Sequence, residues 1–303
     1  MIKGKNISFP VILDGGLSNV LESMGCDLDH KLWSARLIKS NPEAIIKAHV
    51  SYLEAGATCI TTSGYQASVQ GFMDMGATRE QARQLLLDAV SLAVTARKQF
   101  LNSTGLKRSI YIAASLGPYG AYLANGAEYT GDYKVSAPQL ITFHKERLDI
   151  LETSKADFLA FETIPSLLEV EVLSELLGNS AKPSWVSFSC KDGAHLNDGH
   201  KIHDAVKILA DHSTVFAIGV NCTAPKYINQ IIEVLKNEAP DKRIVVYPNS
   251  GEVYHAKSRS WIGVADPVLF GKMAEEWLAN GADIIGGCCR IGPDHILKIK
   301  DLK

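Results

Sequence analysis

Leu53-Glu54-Ala55-Gly56-Ala57-Thr58-Cys59-Ile60 ends a helical pattern, turns through a glycine and enters an apolar run. Leu278-Ala279-Asn280-Gly281-Ala282-Asp283-Ile284-Ile285 spells the same unit near the other end of the chain, and Ser154-Lys155-Ala156-Asp157-Phe158-Leu159 is a looser third copy. A repeated helix–turn–strand unit is what a closed or doubly wound α/β sheet demands. Outward from these copies, eight short runs read as strands: Val11–Leu13, Thr58–Thr62, Tyr111–Leu116, Phe158–Phe161, Trp185–Ser189, Val215–Val220, Ile244–Tyr247 and Asp283–Gly286. Most are apolar nearly throughout, as expected of strands covered on both faces.

Helical patterns lie between them. Asn41 before Pro42 and Asp266 before Pro267 read as N-caps followed by a first helical proline. Thr78 with Gln81 and Ser166 with Glu169 fit capping boxes. Gly56 and Gly281 fit left-handed helix ends. Eight strands alternating with helices over 303 residues suit a (β/α)8 TIM barrel, usually of ~250 residues plus loop insertions. The rival is a doubly wound sheet, but Asp14-Gly15-Gly16-Leu17-Ser18-Asn19 lacks the spacing of a dinucleotide fingerprint. No linker or composition shift divides the chain, so one domain over residues 1–303 is expected. Gly117 to Ala137, rich in Gly and Tyr, is the longest irregular stretch and reads as a lid or binding loop.

Composition narrows the function. Hydrophobic residues make up 46% and charged residues 21% of the chain, which describes a globular protein. Lys and Arg number 31 against 33 Asp and Glu, a net charge of -2. That balance gives no electrostatic footprint for nucleic acid or an anionic membrane. No apolar run approaches the ~20 residues of a membrane span. The opening MIKGKNISFPVILDGG has no apolar stretch of the roughly 7–15 residues a signal peptide needs. A cytoplasmic protein is expected, as a monomer or small homo-oligomer.

The six cysteines, Cys26, Cys59, Cys190, Cys222, Cys288 and Cys289, are too few and too unevenly placed for a disulfide framework. Adjacent cysteines rarely pair with each other, so Cys288-Cys289 points to metal binding or redox chemistry. In a barrel, function collects just past the strand ends. Cys222 follows the sixth strand and Cys288-Cys289 the eighth, so three thiols converge on one rim. Soft sulfur ligands favour zinc, and three of them leave a fourth position open, as in a catalytic site. Gly286 and Gly287 would let the backbone bend sharply enough for both adjacent thiols to face one ion. The plain alternative is three buried apolar cysteines. Cys59 reads as core, Cys26 as a loop residue with nothing nearby to ligate, and Cys190 as a spare rim ligand.

Glu162 beside Thr163 ends the fourth strand, partly desolvated and in need of a cationic partner. A ligand ammonium suits it, and Asp14 at the first strand end could share that group. A helix cap or turn for Asp14, and an internal salt bridge for Glu162, are the structural alternatives. The histidines form no ligand cluster: His200 and His203 read as solvated, His144 as a packing residue, and His255 as a rim residue near substrate. Zinc held by three thiolates is a poor activator of water but binds a substrate thiol as thiolate. The chemistry implied is sulfur alkylation.

Asp14-Gly15-Gly16, Glu162-Thr163, Val220-Asn221-Cys222 and Gly286-Gly287-Cys288-Cys289 together resemble the homocysteine S-methyltransferase family, over about residues 10 to 298. The resemblance implies that Cys222, Cys288 and Cys289 bind Zn2+ and that homocysteine sulfur takes the fourth position. It implies that Glu162 and Asp14 hold the ammonium, that amides near Gly15 and Thr163 place the carboxylate, and that Asn221 shapes the floor beside the metal. Tyr247-Pro248-Asn249-Ser250-Gly251-Glu252 and the tyrosine-rich loop are similar to the branch using S-methylmethionine, with S-adenosylmethionine as a slower donor. Tyr119, Tyr122, Tyr129 and Tyr133 are candidates for an aromatic face toward a sulfonium. The readings that compete are a betaine- or selenocysteine-type methyltransferase, a zinc hydrolase or lyase, and a thiol sensor.

Overall fold

The computed structural model describes residues 7–251, 253–255, 260–262 and 265–302, without side chains for 253–255 and 260–262. Its strands are β1 (Val11–Ile12), β2 (Cys59–Thr61), β3 (Tyr111–Leu116), β4 (Phe158–Ile164), β5 (Ser184–Phe188), β6 (Val215–Asn221), β7 (Arg243–Tyr247), β8 (Val253–His255), β9 (Ser260–Ile262) and β10 (Ile284–Ile285). Eight of them form one parallel sheet in the order β1-β10-β7-β6-β5-β4-β3-β2. A parallel bridge between Leu13 and Cys59 joins its two ends. There the Thr58 amide donates to Ile12 O at 2.8 Å and the Asp14 amide to Cys59 O at 3.1 Å. The result is the (β/α)8 TIM barrel.

The connecting helices start and stop where their caps dictate. Asn41 Oδ1 accepts from the Ala44 amide at 3.3 Å and opens the helix Pro42–Ala55, which ends at Gly56 with φ 114. Asp266 Oδ1 accepts from the Val268 amide at 2.8 Å and opens Pro267–Asn280, ending at Gly281, also φ 114. A glycine is needed at these two ends because a side chain is strained in the left-handed region. Thr78 and Gln81 close a full capping box on Arg79–Thr104. The box expected of Ser166 and Glu169 is only half made. Ser166 accepts the Glu169 amide, but the Glu169 carboxylate is drawn into a buried network instead, meeting the Tyr119 amide, the Tyr133 hydroxyl and His144.

Among the barrel strands only β3 keeps both of its expected ends, and three of the differences bear on the site. β10 is shorter than Asp283–Gly286, and β1 stops at Ile12 with Leu13 left as a bridge. β4 runs past Phe161 to Ile164, with a register shift against β5 between those two residues. Thr163 sits in that irregularity at φ 63, so the polar pair Glu162-Thr163 lies within the strand rather than after it. β8 and β9 pair antiparallel in a separate two-stranded sheet, which the strand pattern of the sequence does not predict.

Side chains alternate across each strand, which splits the core in two. Val11, Leu13, Phe158, Ala160, Trp185 and Val245 fill the barrel interior. Ile12, Leu159, Phe161, Val186 and Val246 face the surrounding helices. Burying each such aliphatic or aromatic side chain is worth about 1.5–3 kcal/mol. Within β6, Gly219 leaves no room for a side chain, because a Cβ there would run into the backbone of Val245 on β7.

Candidate active site

The inward register continues to the C-terminal ends of the strands and changes there from apolar to polar. Thr61 follows inward Cys59, Ser115 follows Ala113, Glu162 follows Ala160, and Ser187 follows Trp185, each by the two residues that keep a side chain on one face. These residues bond polar neighbours around the barrel mouth: Thr61 bonds Asp14, Ser115 bonds Glu162, and Ser187 bonds Asn221 and Tyr247. Ser187 Oγ donates to Asn221 Oδ1 at 2.9 Å and lies 2.6 Å from the Tyr247 hydroxyl. Trp185 Nε1 donates to that hydroxyl at 3.1 Å. Asn221 and Thr163 bond reciprocally: the Thr163 amide donates to Asn221 Oδ1 at 2.6 Å, and Asn221 Nδ2 donates to Thr163 Oγ1 at 2.7 Å. Above this floor opens a cavity of about 350 Å³.

Cys222, Cys288 and Cys289 stand on its wall, with their Sγ atoms all within 4.8 Å of one another. The Cys222–Cys289 separation is 3.6 Å and the Cys288–Cys289 separation 4.0 Å. The end of β7 ties both segments together. The Cys222 amide donates to Tyr247 O at 3.2 Å, the Cys288 amide to Pro248 O at 2.8 Å, and the Ser250 amide to Cys289 O at 3.2 Å. Cys222 itself has φ 47, a left-handed backbone that costs a non-glycine residue about 1–3 kcal/mol. Hydrogen bonds from Cys222 and Cys288 hold the Cys289 thiol well below its ordinary value. Donating to those neighbours, together with burial, pushes Cys288 up. Three thiols so placed share their protons unless a cation replaces them, and the group can hold a metal ion.

Gly286 and Gly287 act differently from the expected bend. Neither has a positive φ. A Cβ on Gly286 would meet Leu13 and Asp14, and one on Gly287 would meet Ile291. Their smallness lets the first and last strand ends touch, and that contact carries the adjacent cysteines into the cavity.

Asp14 and Glu162 both line this cavity, as do Gly15, Thr163 and Asn221. Asp14 is 2% exposed, accepting the Thr61 amide at 2.9 Å and the Thr61 hydroxyl at 3.0 Å. Burial pushes its carboxyl up to about 8, against the opposing pull of those bonds and with help from nearby Glu162. Glu162 is also buried and accepts from Ser115 Oγ. Burial raises it to about 7 while the bonds from Ser115 and Tyr247 pull it back. No salt bridge to either carboxylate occurs among the described residues. The Thr163 amide, expected near a substrate carboxylate, is donated to Asn221.

The long loop after β3 folds into a short helix, Tyr119–Leu123, and a single tight turn, Ala127–Tyr129. Of its four tyrosines only Tyr129 lines the cavity, its hydroxyl 3.8 Å from Cys222 Sγ. Tyr119 packs its ring against Tyr122, Tyr133 and Phe143, so those three tyrosines build the base of the loop. Trp33, Tyr65, Gln66 and Glu128 also line the cavity and were not singled out as site residues. Tyr65 lies just past β2, where the rim rule places it, and Glu128 lies within Gly117 to Ala137, the stretch that reads as a lid or binding loop; nothing local marks Trp33 or Gln66.

Cys59 is interior core, Cys26 packs at the edge of the outer core, and Cys190 is buried, bridged to Leu196 and outside the thiol group. His200 and His203 pair with Asp198 and Glu238. His144 is more than packing: Arg147 donates to its Nδ1 at 3.0 Å, so Nε2 carries the hydrogen and faces Glu169 at 2.7 Å. The backbone of His255 belongs to β8, and its side chain and Glu252 lie outside the described residues.

Comparison with known proteins agrees with this layout. Residues 11–302 match the family model described as homocysteine S-methyltransferase. The chain is 43% identical over 293 residues to homocysteine S-methyltransferase YbgG of Bacillus subtilis strain 168, covering 95% of this chain and 93% of that protein. It is 40% identical over 294 residues to the homocysteine S-methyltransferase of Escherichia coli strain K12, covering 96% and 94%. Among solved structures, the metallated form of the homocysteine methyltransferase MmuM from Escherichia coli superposes with a TM-score of 0.86 at 37% identity, covering 97% of this chain and 96% of that one.

Proposed function

The chain belongs to the homocysteine S-methyltransferase family, and on that premise we propose that it moves a methyl group from a sulfonium donor to L-homocysteine, with Zn2+ held by Cys222, Cys288 and Cys289. S-methylmethionine is the preferred donor in this reading and S-adenosylmethionine a slower one. The observation that carries it is the sulfur triangle. Zinc–thiolate bonds of about 2.3 Å at tetrahedral angles put sulfurs about 3.8 Å apart, and the pairs here stand at 3.6 and 4.0 Å. An all-sulfur set suits a thiol substrate better than an activated water, which argues against a hydrolase or lyase.

Bound zinc supplies the positive charge that keeps the substrate sulfur ionised at neutral pH. The chain's own residues do the rest. Glu162 and Asp14, raised by burial toward neutrality, ionise on receiving the homocysteine ammonium. Asn221, whose Nδ2 lies 3.9 Å from Cys288 Sγ, fixes the floor beside the thiols. The Gly15 amide helps to place the substrate carboxylate. The thiolate sulfur forms a bond to the donor methyl as the donor's own carbon–sulfur bond breaks, and that electron pair stays on the departing sulfur. The leaving group is a neutral thioether, so no general acid is required. With S-methylmethionine both products are methionine. Three free thiols persist as ligands in reducing surroundings, which supports a cytoplasmic location.

The test is methionine formation from homocysteine with S-methylmethionine, S-adenosylmethionine and betaine in parallel. Turnover with the sulfonium donors and little or none with betaine is expected. Turnover with betaine alone would overturn the donor assignment.

A further inference from the structure

Three side-chain acceptors in the cavity wall stand apart from the bonded network of the floor. Gln66 Oε1, Glu128 Oε2 and Ser63 Oγ are shielded from solvent and have no hydrogen-bond partner, and all three residues line the same cavity as the thiols. Asp14 and Glu162, in contrast, are bonded by Thr61 and Ser115. A buried acceptor with no donor costs about 1–3 kcal/mol, and more if charged. Glu128 is 9% exposed, and burial holds its carboxyl above the ordinary value. Gln66 Nε2 donates to Ala121 O at 3.2 Å, so its carbonyl is the end left over. The neighbouring Tyr129 reaches Cys222 with its hydroxyl, which puts Glu128 one residue from the place where sulfur reacts.

We infer that Glu128, assisted by the side-chain carbonyl of Gln66, is a second ammonium subsite that receives the primary ammonium of the methyl donor. The inference rests on the sulfonium reading above and adds what that reading lacks, a group that selects among cations. Acceptors without donors are completed by a positive ligand that brings N–H groups. The ammonium of an amino-acid sulfonium brings three. The trimethylammonium of betaine brings none and leaves the acceptors unpaired. The terminal torsion of a carboxylate is soft, so Glu128 turns either oxygen toward the cavity at small cost.

The experiment compares two donors on the zinc-loaded wild type and on Glu128→Gln, at saturating homocysteine. One is S-methylmethionine; the other is 3-(dimethylsulfonio)propanoate, a sulfonium with no ammonium. Loss of a charged hydrogen bond predicts that E128Q raises the S-methylmethionine KM about tenfold or more. The homocysteine KM and the kcat/KM of the ammonium-free donor stay within about twofold, since neither depends on that bond. Gln66→Leu is an independent variant, expected to raise the same KM and spare the homocysteine KM. An S-methylmethionine KM unchanged in both variants overturns the inference and leaves the functional reading intact. Equal losses with both donors also overturn it. A wild type inactive with every sulfonium overturns the functional reading and this inference together.

Discussion

The Sγ atoms of Cys222 and Cys289 lie 3.6 Å apart although 67 residues separate them in sequence. Their meeting is a property of the barrel: β6 and β10 both flank β7, and backbone bonds from the end of β7 hold both cysteine segments. Because the backbone rather than the sulfurs sets this proximity, Cys289→Ala is expected to keep the fold while losing the metal. Activity should fall more than about 100-fold, beyond the 10–100-fold typical of outer-shell partners. Circular dichroism and metal analysis on one preparation check both halves; full activity in the variant would remove the thiol group from the mechanism.

Glu162 provides a pH test with a definite sign. Its carboxyl titrates near 7 in the folded chain and in the ordinary carboxyl range when unfolded, so the folded state binds the extra proton. Stability from this group is therefore present at low pH and lost as pH rises through about 7. In metal-free, reduced protein, the melting temperature of Glu162→Gln relative to wild type should climb between about pH 5 and 7 and then level off. A difference independent of pH would contradict the burial argument. Glu162→Ala should separately raise the homocysteine KM about tenfold or more, measured by initial rates.

Glu169 anchors the loop that carries Glu128 and Tyr129. Fully buried, it accepts the Tyr119 amide at 2.7 Å and the Tyr133 hydroxyl at 2.9 Å, with His144 Nε2 at 2.7 Å. Beside it Arg147, lowered to about 9 by burial, donates to Gly117 O at 2.7 Å. Glu169→Ala strands these donors and should destabilise the protein by about 3–5 kcal/mol, read from urea unfolding. A loss below about 1 kcal/mol would show that the network does not hold the loop.

Gly219→Ala tests the barrel wall. The added methyl would meet the Val245 backbone, which cannot yield without disturbing β7. Overpacking of this kind costs about 1–3 kcal/mol, again measured by urea unfolding. A neutral substitution would contradict the close approach of β6 and β7.

All eight barrel strands were legible because strands covered on both faces are apolar nearly throughout. Pro42 and Pro267 behind their caps, and the glycines closing those helices, were legible for equally local reasons. The convergence of Cys222 with Cys288 and Cys289 could be read only through the fold, since strand ends of a barrel share one rim. What escaped depends on tertiary paths. Trp33 and Glu128 reach the cavity from single turns of 3-10 helix and Gln66 from a turn, too short for any periodicity to record. Glu169 spelled a capping box but was claimed by His144 and two tyrosines, a network stronger than the local bond. The role expected of Gly286 and Gly287 failed because contacts with Leu13, Asp14 and Ile291, invisible in sequence, decide their size.

The most direct measurement strips the metal with a chelator under reducing conditions and restores zinc stepwise while methionine formation from homocysteine and S-methylmethionine is followed. Metal held by one triad of thiols predicts activity that vanishes on stripping and returns in proportion to zinc, saturating at about one ion per chain. Full turnover by protein shown to contain no metal would contradict the account.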